Sequence, residues 1–146
     1  MVARHTDRVT TTGFRWPIRV YYEDTDAGGV VYHANYLRFM ERARTEWLRQ
    51  LGFEQDRLLA EEGVLFAVRA ASLEYLRPAR FNECLQVGVA IETRGRASLS
   101  FIQRITREPD EELIVDGRVK IACLQAEGLR PYAIPQRIIE VIEGVG

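Results

Sequence analysis

The spacing of apolar residues changes near Gly63, and this change constrains the fold more than any other feature of the sequence. Before it, apolar side chains recur every three or four residues from Tyr36 to Leu51, which is the spacing of an amphipathic helix. After it, apolar residues alternate with others from Leu85 to Cys123, which is the spacing of β-strands. One long helix followed by strands, without alternation of strand and helix, predicts an α+β domain.

The ends of the predicted helix are marked by residues with suitable side chains. Asn35 is a candidate N-cap, since its side chain can accept a hydrogen bond from an amide of the first turn. Gly52 follows the last apolar position and is predicted to end the helix at C′. A shorter helix is predicted over Gln55–Glu61, and a final helical segment is predicted to open with Pro135.

The remaining segments predict a sheet of about five strands around the long helix. A first strand is expected from Phe14, and about four more follow Gly63, separated by turn signals near Pro78, Gly95 and Pro109. These short connections favour an antiparallel meander. A sheet of one layer has an edge and a face that need cover, so a homo-oligomer is expected.

Composition is that of a soluble globular domain, with 47% hydrophobic residues, 28% charged residues and a net charge of −1. Nothing in this balance attracts nucleic acid, and no apolar run is long enough to span a membrane. Residues 1–13 are polar and are predicted to form a flexible leader before a single domain at 14–146. Cys84 and Cys123 have no metal-binding spacing and are expected to be free, buried thiols in a reducing cytoplasm.

The stretch "YYEDTDAGGVVYHANY", from Tyr21 to Tyr36, joins the first strand to the helix and concentrates the chemistry of the chain. Gly28 and Gly29 allow a sharp turn and close approach of a ligand to the backbone. The helix start points its free amides and the positive end of its dipole towards this stretch, where an oxyanion would be stabilised.

The segment "FRWPIRVYYEDTDAGGVVYHANY" followed by "ERARTEWLRQLGF" resembles hotdog-fold thioesterases of the 4-hydroxybenzoyl-CoA thioesterase type. Within that group the chain is most similar to the Tol-Pal-associated acyl-CoA thioesterases of Gram-negative bacteria. The resemblance implies an antiparallel sheet of about five strands wrapped around one central helix. It also implies hydrolysis of acyl-CoA to acid and CoA, in a dimer or tetramer, with CoA bound at a subunit interface as part of the substrate and with no cofactor or metal.

The same resemblance places the catalytic aspartate on Asp26, a catalytic histidine on His33, and the amide that polarises the thioester carbonyl near His33. Asp26 could direct a water molecule or attack the carbonyl itself, and both routes stay open. Glu23 and Asp24 are interpreted as scaffold, in a solvated strand end or a loop hydrogen bond. The candidates for contact with substrate are Gly28, Gly29, Tyr32, Asn35 and Tyr36; for the two tyrosines a place in the core is an equal alternative.

Two other functions remain open at this stage. A hotdog-fold hydratase would act on similar acyl thioesters, although no hydratase signature is found in the sequence. An acyl-carrier or cell-envelope binding module would hydrolyse thioesters only incidentally, and it would bind acyl carrier protein or another partner.

Overall fold

A computed structural model of the chain describes residues 10–145, in which one antiparallel sheet packs against one long helix. This arrangement confirms the expected α+β architecture with about five main strands around a central helix. The elements in chain order are β1 (Thr10–Arg19), α1 (Asn35–Gln50), α2 (Gln55–Glu62), β2 (Val64–Tyr75), β3 (Cys84–Arg94), β4 (Ser98–Arg107), β5 (Glu112–Gln125), β6 (Arg130–Pro131) and α3 (Gln136–Val145).

The order of strands across the sheet is β1, β3, β4, β5, β2, and the two-residue β6 pairs with the end of β5. The predicted meander is therefore right for β3, β4 and β5 and wrong for β2. That strand pairs with β5 at the far edge, and the connection over residues 76–83 returns the chain to the other side of the sheet. Sequence spacing could not show this crossing because it depends on a long-range pairing.

The first strand begins at Thr10, so part of the predicted leader belongs to the sheet. Thr10 pairs with Ile91 and Phe14 with Val89, with an irregularity in the register between Thr11 and Phe14. Gly13, at the irregularity, has a φ of 74°, a value that suits glycine. Residues 1–9 of the predicted leader lie outside the described residues.

Helix α1 begins and ends near the predicted positions, but its start is formed differently. Asn35 is the first helical residue, and Ala34 is the N-cap without a side-chain hydrogen bond, so the predicted capping by Asn35 is wrong. Gly52 has a φ of 100°, its amide donates to the Arg49 carbonyl, and the Phe53 amide donates to the Leu48 carbonyl. This is a Schellman ending, and it confirms the role predicted for Gly52.

The centre of the molecule is the contact between the middle of α1 and the middle of the sheet. Met40 is fully buried there, against Gly117 of β5. A side chain at Gly117 would collide with Met40 and would lie 3.1 Å from the carbonyl oxygen of Gln103 on β4. Glycine is therefore required at this position so that the helix can approach the sheet closely.

Both cysteines are free, as predicted; Cys123 is buried, whereas Cys84 is only half-buried. Burial raises the pKa of the Cys123 thiol to about 11. None of the helices within residues 10–145 is both long and apolar enough to cross a membrane.

Replacement of Gly117 by alanine is expected to lower the free energy of unfolding by about 1–3 kcal/mol, because the new methyl group overpacks the contact with Met40. Urea denaturation measures the change. Gly88→Ala is the matched control in β3, where the nearest atom to an added Cβ is the Arg104 carbonyl oxygen at 3.6 Å. Equal stability of the two variants would contradict this account of the helix–sheet contact.

Candidate functional site

The segment between β1 and α1 folds into a compact loop that is paired with itself and with its neighbour. A single 3₁₀ turn covers Tyr22–Asp24, and Thr25 and Val31 then form an antiparallel bridge. Val30 forms a second bridge with Arg80, in the connection that follows β2. The loop therefore has a fixed backbone, with Asp26 to Gly29 at its turn.

Asp24 is buried, and hydrogen bonds to its carboxylate connect the loop to the start of α1. Only 5% of its surface is exposed, and Oδ1 accepts a hydrogen bond of 2.7 Å from Nδ2 of Asn35. Oδ2 accepts a hydrogen bond of 2.8 Å from the amide of Tyr21. The loop hydrogen bond predicted for Asp24 is confirmed, whereas the alternative of a solvated strand end is wrong for this residue.

Asp26 lies at the turn, and its side chain is exposed to solvent. Its Oδ1 accepts a hydrogen bond of 2.8 Å from the amide of Gly28, so the carboxylate has a defined orientation. A Cβ at Gly28 would lie 3.3 Å from that oxygen, and Gly29 has a φ of 81°. Gly29 thus suits the positive φ of the turn, and a side chain at Gly28 would be in tight contact with the Asp26 carboxylate.

The residues just before α1 provide backbone donors. The hydrogen bonds found among the described residues include no acceptor for the amides of His33 and Ala34, whereas the Asn35 amide donates to the Tyr32 carbonyl at 2.8 Å. Free amides at the start of a 16-residue helix favour negative charge. This end of the helix can therefore stabilise an oxyanion.

His33 is exposed, and it is held by β2 through its backbone. The hydroxyl of Tyr75 donates to the His33 carbonyl at 3.1 Å, and the two rings meet edge to face at 6.3 Å. The His33 ring also lies 4.5 Å from the ring of Tyr32. Within the described chain no hydrogen bond joins the side chains of His33 and Asp26, and what the two residues share is the segment between β1 and α1.

The predicted substrate-binding residues divide into exposed and buried groups. Gly28, Gly29 and Tyr32 are exposed. Asn35 is buried and bonded to Asp24, and Tyr36 is buried with its hydroxyl accepting the Ala79 amide at 3.2 Å. Burial also raises the pKa of the Tyr36 phenol. Contact of these five residues with a substrate stays a prediction.

Two residues near the helix were not predicted from the sequence. Tyr75 lies in a segment of mixed pattern, and only the pairing of β2 with β5 brings it to His33. Arg44 is 7% exposed and faces the core, because it lies four residues after Met40 and three before Trp47. Its position on the apolar face of the helix was a signal that sequence analysis could have used.

No group of three or more histidine, cysteine, aspartate or glutamate side chains between residues 10 and 145 is arranged to hold a metal ion.

Comparison with known proteins gives consistent matches over most of the chain. The family model described as the thioesterase-like superfamily matches residues 20–142. "Acyl-CoA thioester hydrolase YbgC" of Escherichia coli O6:H1 is 47% identical over 131 residues, which are 90% of this chain and 96% of that protein. "Acyl-CoA thioesterase YbgC" of Haemophilus influenzae is 43% identical over 86% of this chain and 91% of that protein.

A solved structure shares the same fold. Slr0204, a 1,4-dihydroxy-2-naphthoyl-CoA thioesterase from Synechocystis, superposes with a TM-score of 0.82 over 88% of this chain and 94% of that one. The sequence identity is 21%, so this likeness concerns the fold alone.

Replacement of Asn35 by alanine is expected to lower the free energy of unfolding by about 1.5–3 kcal/mol, because the buried Asp24 carboxylate loses a hydrogen bond. Thermal or urea denaturation measures the loss. Thr25→Ala is the control in the same loop, since it removes an exposed hydrogen bond to the Tyr22 carbonyl and is expected to cost less than about 1 kcal/mol. An Asn35→Ala protein as stable as the control would contradict the anchoring role of Asp24.

Proposed function

The chain belongs to the thioesterase-like superfamily, and on this basis we propose that it hydrolyses acyl-CoA thioesters to a free acid and CoA. The family resemblance expected from residues 14–36 and 41–53 is confirmed by the family match, and the hotdog fold expected with it is confirmed as well. The relatives named acyl-CoA thioester hydrolase and acyl-CoA thioesterase support this activity across nearly the whole chain.

One observation carries the assignment of the site. The Asp26 carboxylate, oriented by the Gly28 amide, shares a loop with the amides of His33 and Ala34 at the start of α1, for which no hydrogen-bond acceptor is found among the described residues. A thioester bound in this loop would place its carbonyl oxygen near the amides and its carbonyl carbon towards Asp26. The two functions that the reaction needs, activation of an attacking oxygen and stabilisation of an oxyanion, are then supplied by one segment.

In the general-base route, Asp26 takes a proton from water as the water oxygen bonds to the thioester carbon. The negative charge that develops on the carbonyl oxygen is stabilised by the helix-start amides. The intermediate then collapses with release of the CoA thiolate, which is a good leaving group because a thiol has a pKa of about 8.5. A separate strong acid is not needed for this step.

In the nucleophilic route, an oxygen of Asp26 attacks the carbonyl carbon and displaces the thiolate to form a mixed anhydride. Water then hydrolyses the anhydride and restores the carboxylate. Since the Asp26 side chain is exposed in the single chain, its carboxylate is accessible for either route. His33 is assigned to the orientation of water or of the Asp26 carboxylate.

A second copy of the chain is proposed to cover the edge of the sheet at β2. β2 is an edge strand that pairs with β5 on one side, and its inner face leaves Val68 55% exposed and Tyr75 50% exposed. Because a long, apolar edge next to the site favours pairing with another strand, a homodimer or tetramer that covers β2 is expected. CoA would bind at that interface, and acyl carrier protein is the alternative carrier of the acyl group.

We assign the protein to the cytoplasm. Its two free cysteines suit a reducing environment, and the proposed substrate is acyl-CoA.

Replacement of Asp26 by asparagine is expected to reduce thiol release from acyl-CoA by about 100-fold or more, because the base or nucleophile is lost. Asparagine can still accept the Gly28 amide, so the loop and the thermal stability are expected to be retained. A thiol-trapping assay with acyl-CoA measures the rate, and circular dichroism checks the fold.

Glu23→Gln is the matched control, since Glu23 is an exposed carboxylate in the same loop and is interpreted as scaffold. This variant is expected to keep the wild-type rate. Near-normal turnover by Asp26→Asn would remove Asp26 from the mechanism. Hydration of an enoyl-CoA without thiol release by the wild type would favour the hydratase alternative instead.

A further inference from the structure

A cavity of about 120 Å³ lies between the middle of α1 and the β2 edge of the sheet. Its polar lining consists of Glu41, Arg44, Thr45 and Gln55. This space can hold several water molecules or the end of a small organic group. Because none of these four residues belongs to the loop that carries Asp26, the cavity is a separate part of the molecule.

Arg44 is the unusual member of the lining, since a buried arginine normally has a carboxylate partner. It is 7% exposed, and its NH1 donates to Oε1 of Gln103 at 2.9 Å. Gln103 is fully buried and donates its own Nε2 to the Met40 carbonyl at 3.0 Å. The guanidinium is therefore held in place by a hydrogen bond to a neutral side-chain amide. Burial lowers the pKa of Arg44, and the negative charge of Glu41 opposes that effect.

Most of the hydrogen-bonding capacity of Arg44 is unused. A guanidinium has five N–H donors, and the contacts found within residues 10–145 account for one of them. No carboxylate in that part of the chain forms an ion pair with Arg44. A buried cation with free donors on the wall of a cavity is a site for a hydrogen-bond acceptor.

Glu41 lies three residues before Arg44 on α1 and supplies an acceptor beside it. Oε2 of Glu41 accepts a hydrogen bond of 2.8 Å from the Thr45 hydroxyl, which in turn accepts one of 3.0 Å from Nε2 of Gln55. This chain of contacts orients the Glu41 carboxylate at the exposed rim. A ligand group that both accepts from Arg44 and donates to Glu41 would satisfy both side chains, and a hydroxyl group has this capacity.

The cavity lies further along α1 than the proposed reaction site, which is at the start of that helix. Glu41 and Arg44 are six and nine residues after Asn35, which places them roughly 9 and 13 Å further along the axis. β2 spans the same interval, because Tyr75 contacts His33 while Phe66 and Val68 line the cavity. An extended chain advances roughly 1.2 Å per bond, so a linear acyl group of about eight to eleven bonds covers the distance.

We propose that this cavity, which is lined by Arg44 and Glu41, binds a hydroxyl group at the far end of a medium-length acyl chain. The thioester of the same acyl group would lie at Asp26. This inference rests on the proposed thioesterase function and names its preferred substrate class. The apolar residues Leu48, Phe66, Val68 and Ile121 surround the methylene groups next to the hydroxyl. A terminal carboxylate fits less well, because it would face the carboxylate of Glu41.

The test is a kinetic comparison of acyl-CoA pairs that differ only in a terminal hydroxyl, at chain lengths from roughly four to twelve carbons, which bracket the distance to the cavity. For wild-type protein, kcat/KM is expected to be about tenfold or more higher for the hydroxylated member at the matching length, the effect of one charged hydrogen bond. At the shortest length the hydroxyl does not reach Arg44, so no preference is expected.

Two variants locate the origin of the preference. Arg44→Met is expected to abolish the ratio between hydroxylated and plain substrates, a measure that does not depend on a general loss of activity. If Arg44→Met fails to fold, Glu41→Gln tests the same cavity from an exposed position. This variant is expected to have a lower ratio of kcat/KM between hydroxylated and plain substrates, and a severalfold higher kcat/KM for an acyl-CoA with a terminal carboxylate. Arg57→Met is the matched control, because Arg57 is exposed on α2 and pairs only with Glu61 among the described residues.

The outcomes separate this inference from the function on which it rests. Thiol release from plain acyl-CoA with no preference for a hydroxyl at any length would overturn the inference and leave the thioesterase function standing. A preference that persists unchanged in the Arg44 and Glu41 variants would also overturn it. Absence of thiol release from every acyl-CoA would overturn the thioesterase function and the inference together.

Discussion

The buried hydrogen bond between Asp24 and Asn35 is the contact on which the geometry of the loop depends. Through its two oxygens, the Asp24 carboxylate joins the amide of Tyr21, two residues after the first strand, to the first residue of α1. The loop between these points has to close over a short distance, and Gly28 and Gly29 allow it to do so. Asp26 and the helix-start amides are thereby held in one rigid unit, as electrostatic preorganisation requires.

The sheet controls the position of the same helix from the other side. Gly117 lets Met40 approach β5, and the Gln103 side chain connects β4 to both the Met40 carbonyl and Arg44. The helix is therefore fixed at its start by the loop and at its middle by a polar contact in the core. Burial of a guanidinium without a carboxylate partner is energetically unfavourable, which is why the Arg44 donors that have no acceptor within residues 10–145 are assigned to a ligand.

Much of the fold could be predicted from the sequence because local patterns determine it. The change in the spacing of apolar residues and the Schellman glycine Gly52 predicted α1. The same change and the turn residues predicted the antiparallel strands. The crossing of β2 to the far edge could not be predicted, since a two-residue period shows which face a side chain occupies and not which strand lies beside it. Asn35 was misassigned because the helix begins at this residue and its side chain is directed to the buried Asp24 carboxylate, a contact that the sequence does not reveal.

The proposed site could be located from the motif that contains Asp26 and His33, and the structure adds the orientation of that motif. A crystal structure with a non-hydrolysable ketone analogue of an acyl-CoA tests whether Asp26 and the helix-start amides form the reaction site. The ketone oxygen is expected to lie about 3 Å from the amide of His33 or Ala34, with the carbonyl carbon facing the Asp26 carboxylate. A ketone bound away from these amides, with Asp26 remote from its carbonyl carbon, would contradict it.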